Sequence, residues 1–239
     1  MQPRVIAYGD SALLVELGDM FTEASWRTAH ALAAKARAEL APVVTDAVAT
    51  YTSVLIEFDP LATDPEGIET ALRRYLAAVG MLDDAAVFGR PRCFVVPVVY
   101  GGRDGPDLEQ VARDQGLTPE EVVRRHAEPV YRIRCLGTPV GEPLLDGPPL
   151  PRPVPRLATP RTRVPAGSVA IAGRQATIYT APSPGGWALI GRTPLEFARP
   201  ADPPVPYRPG DYIRFKPVPE AEASYWEGVP VAAVEVSCP

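Results

Sequence analysis

The 239-residue sequence contains only two lysines, Lys35 and Lys216, and two histidines, so arginine supplies nearly all of its positive charge. Acidic residues outnumber Lys and Arg by 29 to 24, which gives a formal net charge of −5. Proteins that bind nucleic acids normally carry a basic surplus concentrated on one face. The composition therefore argues against a nucleic-acid partner.

Cysteine and long apolar runs are also scarce. The three cysteines, Cys93, Cys135 and Cys238, are far apart and form no C-x-x-C pair, so we expect reduced thiols in a cytoplasmic protein. No segment reaches the roughly 18 consecutive apolar residues that a membrane-spanning helix needs, and the N-terminus shows no secretion signal. We therefore expect no membrane association.

Two catalytic sequence motifs are missing. The chain has no G-x-x-x-x-G-K-[ST] phosphate-binding loop, so ATP is not expected to bind to this chain alone. Ser168 and Ser183 are available as nucleophiles, but neither lies in a G-x-S-x-G elbow, which argues against a Ser-His-Asp hydrolase.

Proline, by contrast, is abundant at 30 residues, which favours short strands and extended connections. The hydrophobic pattern up to residue 89 alternates strands with two helices. The first helix begins after Thr22 as N-cap, with an apolar stripe at Trp26, Ala29, Ala33, Ala36 and Leu40, and the second ends at Gly80. This order predicts a ferredoxin-like split βαβ domain, with Phe94–Tyr100 as its next strand. Residues 90–217 contain many short β segments and predict a barrel, with the proline-dense Pro139–Pro165 as a surface connection. Residues 218–239 are predicted to be a tail, and the fold class is α+β.

A capping box with proline at the first helical position begins a helix at Thr118. His126 falls near the C-terminus of that helix, where the helix dipole favours a positive charge. It is the best candidate for a proton carrier in the sequence. A capping or packing role is the alternative.

No acidic residue occurs between Asp146 and Glu196, although the protein as a whole is acidic. The guanidinium group binds carboxylate or phosphate through two parallel hydrogen bonds, so this acid-free stretch predicts an anion site or a docking face for an acidic partner. Arginines that are simply solvated are the alternative. The stretch contains Arg152, Arg156, Arg161, Arg163, Arg174 and Arg192.

Two runs within this stretch are the most specific signal: TPRTRVPAGSVAIAG at residues 159–173 and SPGGWALIGRTP at residues 183–194. Shorter matches follow the same order at Tyr8–Ala12, Tyr100–Gly102, Gly105–Leu108, Leu117–Val122, His126 and Arg208–Asp211. Through these runs nearly the whole chain resembles the family that holds allophanate hydrolase subunit 1 and the B subunit of 5-oxoprolinase. That family is also described as carboxyltransferase domain C/D, and it includes an inhibitor of a sporulation kinase.

The resemblance implies a cyclophilin-like β-barrel as the second domain. It also implies a hydrolase complex that uses ATP to convert 5-oxo-L-proline, a small anionic substrate, to L-glutamate. In that complex the chain pairs with a larger C subunit, which is similar to allophanate hydrolase subunit 2. The A subunit is a further candidate partner. We expect the chain to be inactive alone.

For the joint site we predict four catalytic residues: His126, Gln175, Arg161 and Arg163. Gln175 would orient a carbonyl or a water, and Trp187 would either wall the pocket or fill the core. The predicted substrate-binding residues are Arg192, Ser168, Ser183, Gly185, Gly186, Trp187 and Thr193.

Two loops depart from the family pattern. Thr138–Gly147 replaces an aromatic- and glycine-rich run, and Gly173–Thr177 keeps Gln175 but lacks two glycines that would allow close backbone approach. An altered substrate or weakened catalysis therefore stays open. Two other functions also stay open: a non-catalytic protein that docks an acidic surface through the same arginines, and an allophanate-type amide hydrolase subunit.

Overall fold

The computed structural model describes residues 3–79, 83–197 and 205–232. The chain divides into two compact units, Met1–Arg90 and Pro91–Pro239. Gly80, predicted to end a helix, and Cys238 lie outside the described residues. Within the described ranges, no helix is both long enough and apolar enough to cross a membrane.

The first unit is a four-stranded antiparallel sheet with helices packed on one face. The strand order is β1-β2-β4-β3, and Val15, Ile56, Leu32 and Leu72 belong to its buried core. Its elements in chain order are β1 (Arg4–Ala7), β2 (Ala12–Glu16), α1 (Glu23–Glu39), β3 (Val44–Ala49), β4 (Ser53–Phe58), α2 (Pro65–Val79) and α3 (Asp84–Phe88).

Helix α1 begins where the sequence predicts. The Thr22 side chain accepts a hydrogen bond from the Ser25 backbone N–H at 3.0 Å, and the Ser25 hydroxyl accepts one from the Thr22 N–H at 3.0 Å. This capping box satisfies two backbone donors that the first turn leaves unpaired. The predicted stripe that starts at Trp26 and continues through Ala29, Ala33 and Ala36 is buried.

The ferredoxin-like arrangement predicted for residues 1–89 is not confirmed. β4 lies between β2 and β3, as in a split βαβ unit, but the strand expected to complete the sheet after α2 belongs to the second unit. The edge beside β2 is instead filled by β1, which the sequence pattern did not predict. β1 folds back through a turn at Gly9, whose φ is 72°, and its largely exposed side chains give no hydrophobic alternation.

The second unit contains a closed seven-stranded barrel with the order β10-β7-β6-β13-β5-β12-β9. Most neighbours are antiparallel, whereas β13 runs parallel to β5. A separate two-stranded ribbon pairs β8 with β11. The elements are β5 (Cys93–Tyr100), α4 (Leu108–Gln115), α5 (Pro119–Ala127), β6 (Val130–Gly137), β7 (Glu142–Asp146), β8 (Arg161–Val164), β9 (Ser168–Ala172), β10 (Gln175–Ile178), β11 (Ser183–Gly185), β12 (Ala188–Arg192), β13 (Tyr212–Pro217) and α6 (Glu220–Ala223).

All five residues of β9 are buried, because both of its faces are covered. Val169 and Ile171 belong to the main barrel core, whereas Ala170 packs in a second cluster with Val164 and Leu189. Successive side chains on a strand point to opposite faces, so the β8–β11 ribbon covers the outer side of β9 and β12. This explains why the sequence shows a continuous apolar run here.

The proline-dense segment is only partly the surface connection that was predicted. Glu142–Asp146 forms β7 of the barrel, with Leu145 fully buried, and Leu150 and Val154 also join the core. Pro143 is tolerated in the strand, and its carbonyl accepts a hydrogen bond from the Thr177 hydroxyl at 2.9 Å. In the segment predicted as a tail, the structure shows α6 and a buried Val231.

Candidate functional site

Four arginine side chains from three parts of the second unit line one cavity of about 410 Å³. Arg161 and Arg163 come from β8, Arg192 ends β12, and Arg103 lies in the loop before α4. The buried Ser168, at the start of β9, lines the same space. We call this the arginine cavity. It brings together four of the eleven site residues predicted from the sequence.

The loop that carries Arg103 is fixed against strand β12. The Gly101 N–H donates to the Ile190 carbonyl at 3.1 Å, and the Asp107 N–H donates to the Leu189 carbonyl at 3.0 Å. At Gly105 any Cβ would overlap the Ile190 carbonyl oxygen, so only glycine permits this close approach. The loop and the strand therefore form one continuous wall.

Arg161 is held by Asp107 across 54 residues of sequence. Its Nη2 donates to Asp107 Oδ1 at 2.8 Å, while Asp107 Oδ2 accepts the Leu189 N–H at 2.7 Å. The carboxylate thus ties the ribbon arginine to β12. Arg161 Nη1 is buried and has no hydrogen-bond partner among the described residues, so one strong donor is left for a ligand.

Arg192 is fixed through its inner nitrogen. Nε donates to the Ala166 carbonyl at 3.0 Å, in a turn where Gly167 has a φ of 80°. A Cβ at Gly167 would overlap the Thr193 carbonyl oxygen, and the Thr193 N–H donates to the Gly167 carbonyl at 2.9 Å. Over the described ranges, the terminal nitrogens of Arg192 form no protein hydrogen bond.

The positive charge of the arginine cavity is only partly balanced. Arg161 pairs with Asp107, and Arg103 lies 3.2 Å from Glu220 and 3.8 Å from Asp104. Arg163 and Arg192, in contrast, have no carboxylate within ion-pair distance in the part of the chain that the structure describes. Two uncompensated guanidinium groups in an acidic protein favour an anionic ligand.

A second cavity of about 710 Å³ adjoins the first, because Arg103, Asp104 and Arg192 line both. The predicted residue Thr193 lines this larger space, although its hydroxyl accepts a hydrogen bond from the Leu195 N–H at 3.3 Å. The larger cavity also has Glu220 on its wall. A ligand anchored on the arginines thus has room to extend.

His126 does not lie in either cavity. Its side chain is fully buried, Nδ1 is 2.7 Å from the Tyr100 hydroxyl, and its ring centroid is 4.4 Å from that of Phe215. Burial lowers the pKa of His126 to about 3, so the imidazole is neutral near pH 7. The structure therefore places His126 in the barrel core, away from the arginines.

Gln175 is also separated from the arginine cavity. It begins β10 and pairs with Ala172, at the opposite end of β9 from Ser168. Four residues of extended strand span about 13 Å. Gln175 lines neither cavity, and the structure does not bring it together with Arg161 and Arg163.

The remaining predicted residues build the ribbon that carries Arg161 and Arg163. Gly185 packs against the ring of Tyr179, and Gly186 lies beside Pro160. Trp187 packs on the cluster of Val164, Ala170, Tyr179 and Leu189, with the Arg156 guanidinium 5.9 Å from its ring centroid. These residues have structural contacts and do not line the arginine cavity.

Ser183 lies beside the carboxylate of Glu142, a buried residue at the start of β7. Burial raises the pKa of Glu142, and the neighbouring Ser183 hydroxyl lowers it by a smaller amount. Oε1 of Glu142 has no hydrogen-bond partner among the described residues. The barrel strand β7 therefore begins with a buried polar group that is only partly satisfied.

Three residues of the site were not predicted from the sequence: Arg103, Asp104 and Asp107. All three follow the Gly101-Gly102 turn, and Gly105-Pro106-Asp107 was a recognisable sequence feature. A pairing between Asp107 and Arg161 leaves no sequence signal, because it depends on how the loop and the ribbon meet on β12. Across residues 3–79, 83–197 and 205–232, no group of three His, Cys, Asp or Glu side chains could hold a metal ion.

Residues 3–207 match the family model of the carboxyltransferase domain, subdomains C and D, and the chain belongs to this family. Two curated relatives are similar over nearly their full length. The chain is 35% identical over 225 residues to the 5-oxoprolinase B subunit of Bacillus subtilis, covering 92% of it. It is 37% identical over 220 residues to the 5-oxoprolinase B subunit of Escherichia coli O157:H7, covering 95% of it. In each comparison 90% of this chain is aligned.

Solved structures agree on the fold. The crystal structure of TTHA0988 superposes on 87% of this chain with a TM-score of 0.71 and 34% identity. The K. lactis urea amidolyase superposes on 97% of the chain with a TM-score of 0.78, and at 21% identity this likeness concerns the fold alone. The chain spans 39% of TTHA0988 and 16% of the amidolyase.

Proposed function

We propose that this chain is the B subunit of an ATP-dependent 5-oxoprolinase, in which it helps a larger C subunit to convert 5-oxo-L-proline to L-glutamate. Both near-full-length relatives are 5-oxoprolinase B subunits. The arginine cavity is the single structural feature that supports a role for this chain in the reaction, since it offers uncompensated guanidinium groups to an anion. The barrel would be cyclophilin-like and the complex cytoplasmic.

Within the complex, the chain's own residues would bind and orient the anionic reactant. Arg161, pre-set by Asp107, and Arg192, pre-set by the Ala166 carbonyl, need little reorganisation when a ligand arrives. ATP would be bound by the partner, since this sequence has no phosphate-binding loop. The chain alone would therefore be inactive.

The test is reconstitution with the homologous C subunit and measurement of glutamate and ADP from 5-oxoproline. We expect turnover only when both proteins and ATP are present. Arg161→Ala and Arg163→Ala should each lower kcat/KM at least tenfold, since each removes a charge that contacts the anion. Arg174→Ala is the matched control, because Arg174 is exposed and lines neither cavity.

Allophanate is the alternative substrate in this experiment. Turnover of allophanate but not 5-oxoproline would assign the chain to an allophanate-type enzyme instead. Absence of turnover with either substrate, in a complex that assembles and after the A subunit is added, would remove the catalytic proposal and favour a non-catalytic interaction protein.

A further inference from the structure

We propose that the arginine cavity binds a phosphoryl dianion in preference to a carboxylate. The ligand would be either inorganic phosphate or the phosphate of an acyl phosphate. The inference rests on the proposed function, because ATP-dependent activation of an amide supplies both chemical forms. It goes further by assigning the phosphoryl contact to this chain rather than to its partner.

Charge balance is the first reason. Arg163 and Arg192 are not paired with carboxylates in the described residues, whereas Arg103 and Arg161 each have an acidic neighbour. The three carboxylates, Asp104, Asp107 and Glu220, all lie beside Arg103 or Arg161, so two guanidinium groups are left unpaired and can each interact with one charge of a dianion. A single carboxylate would have to share one negative charge between the two unpaired groups, Arg163 and Arg192.

Donor geometry is the second reason. Arg161 Nη1 is a buried N–H donor without a partner among the described residues, and Arg192 keeps both terminal nitrogens available while Nε is anchored. The Ser168 side chain, with the residue only 2% exposed, lines the same cavity. A phosphoryl group offers three acceptor oxygens to such a set, one more than a carboxylate.

The lining also limits the size and type of ligand. The residues around the arginine cavity include Pro106, Pro165 and Leu189, and none of the described lining residues is aromatic. A nucleotide base normally requires a stacking or apolar platform, so the lining favours a phosphoryl group without a base. The adjoining larger cavity leaves room for an acyl group attached to the phosphate.

Binding is tested on the isolated full chain by calorimetric titration with inorganic phosphate, sulfate, acetyl phosphate and acetate at constant ionic strength. We expect phosphate and sulfate to bind at least tenfold more tightly than acetate. Phosphate affinity should rise between pH 6 and 8 as its second proton leaves, whereas sulfate affinity should not. A clear preference for acetyl phosphate over inorganic phosphate would identify the acyl phosphate as the ligand.

The variants assign the binding to the cavity. Arg163→Ala and Arg192→Ala should each weaken phosphate binding at least tenfold without changing the melting temperature. Arg174→Ala should change the phosphate affinity less than twofold. Acetate binding as tightly as phosphate, or equal losses in Arg174→Ala, would overturn the inference. Turnover by the complex is measured separately, so an active complex in which this chain does not bind phosphate refutes only the phosphoryl assignment.

Discussion

The arginine cavity and the surroundings of His126 lie in the same unit. The sequence predicted catalytic residues in both, yet the two environments are opposite. Arg163 and Arg192 are exposed and lack carboxylate partners in the described structure. His126 is fully buried, neutral, and enclosed by Tyr100, Tyr131 and Phe215. The same barrel thus carries exposed, unpaired arginines on its surface and a histidine packed in its interior. The difference is set by burial, not by residue type.

Truncation of His126 and truncation of Arg163 should therefore change the stability of the protein by different amounts. His126→Ala removes a packed ring and the hydrogen bond with Tyr100, so the free energy of unfolding should fall by about 3 kcal/mol. Arg163→Ala, on the exposed rim, should change it by no more than about 0.5 kcal/mol. Urea unfolding followed by tryptophan fluorescence measures both. A His126→Ala protein that is as stable as the parent but has lost turnover in the complex would make His126 catalytic after all.

The pH dependence of the unfolding free energy also tests the burial of His126, with a smaller expected effect. The pKa of His126 is about 3 when folded and 6.5 when free. Because the unfolded state binds more protons between these values, the stability contributed by neutral His126 is present above pH 6.5 and is lost as pH falls. The slope approaches about 1.4 kcal/mol per pH unit, or about 2 kcal/mol in all between pH 6.5 and 4.5.

His126→Leu is the control for that measurement, since it keeps an apolar side chain but has no titrating group. Its stability should fall less steeply with acid than that of the parent, by about 1 kcal/mol per pH unit below pH 6. Parallel curves for the two proteins would show that His126 is protonated in the folded state and would contradict its burial.

The contrast between exposed arginines and a buried histidine also explains which features of the fold and the site could be predicted from the sequence. Helix α1 and its cap at Thr22 followed from the local pattern. Arg161, Arg163 and Arg192 of the two sequence runs line one cavity, and unpaired charge of this kind tends to stay at the surface. The burial of His126 depends on β13 and β5 meeting α5, which no local pattern encodes. Likewise, β7 was hidden by its proline, and Gln175 lies at the far end of the hairpin from Ser168.

The smallest predicted effect concerns the link between β12 and the cavity. The two carboxylate oxygens of Asp107 accept hydrogen bonds from Arg161 and from the Leu189 N–H. An asparagine amide has only one acceptor oxygen, so it cannot accept from both donors in the same way. Asp107→Asn should cost about 1 kcal/mol of stability, because an NH₂ group then faces one of the two donors. Anion affinity should fall severalfold, since Arg161 loses its anchor although the cavity loses no positive charge. Calorimetric titration with phosphate measures the anion affinity of this variant. Asp114→Asn, on the exposed face of α4, is the charge-matched control, and comparing the two variants distinguishes the effect of positioning Arg161 from the effect of net charge. If Asp107→Asn binds phosphate more tightly than the parent, net charge rather than the positioning of Arg161 controls the site.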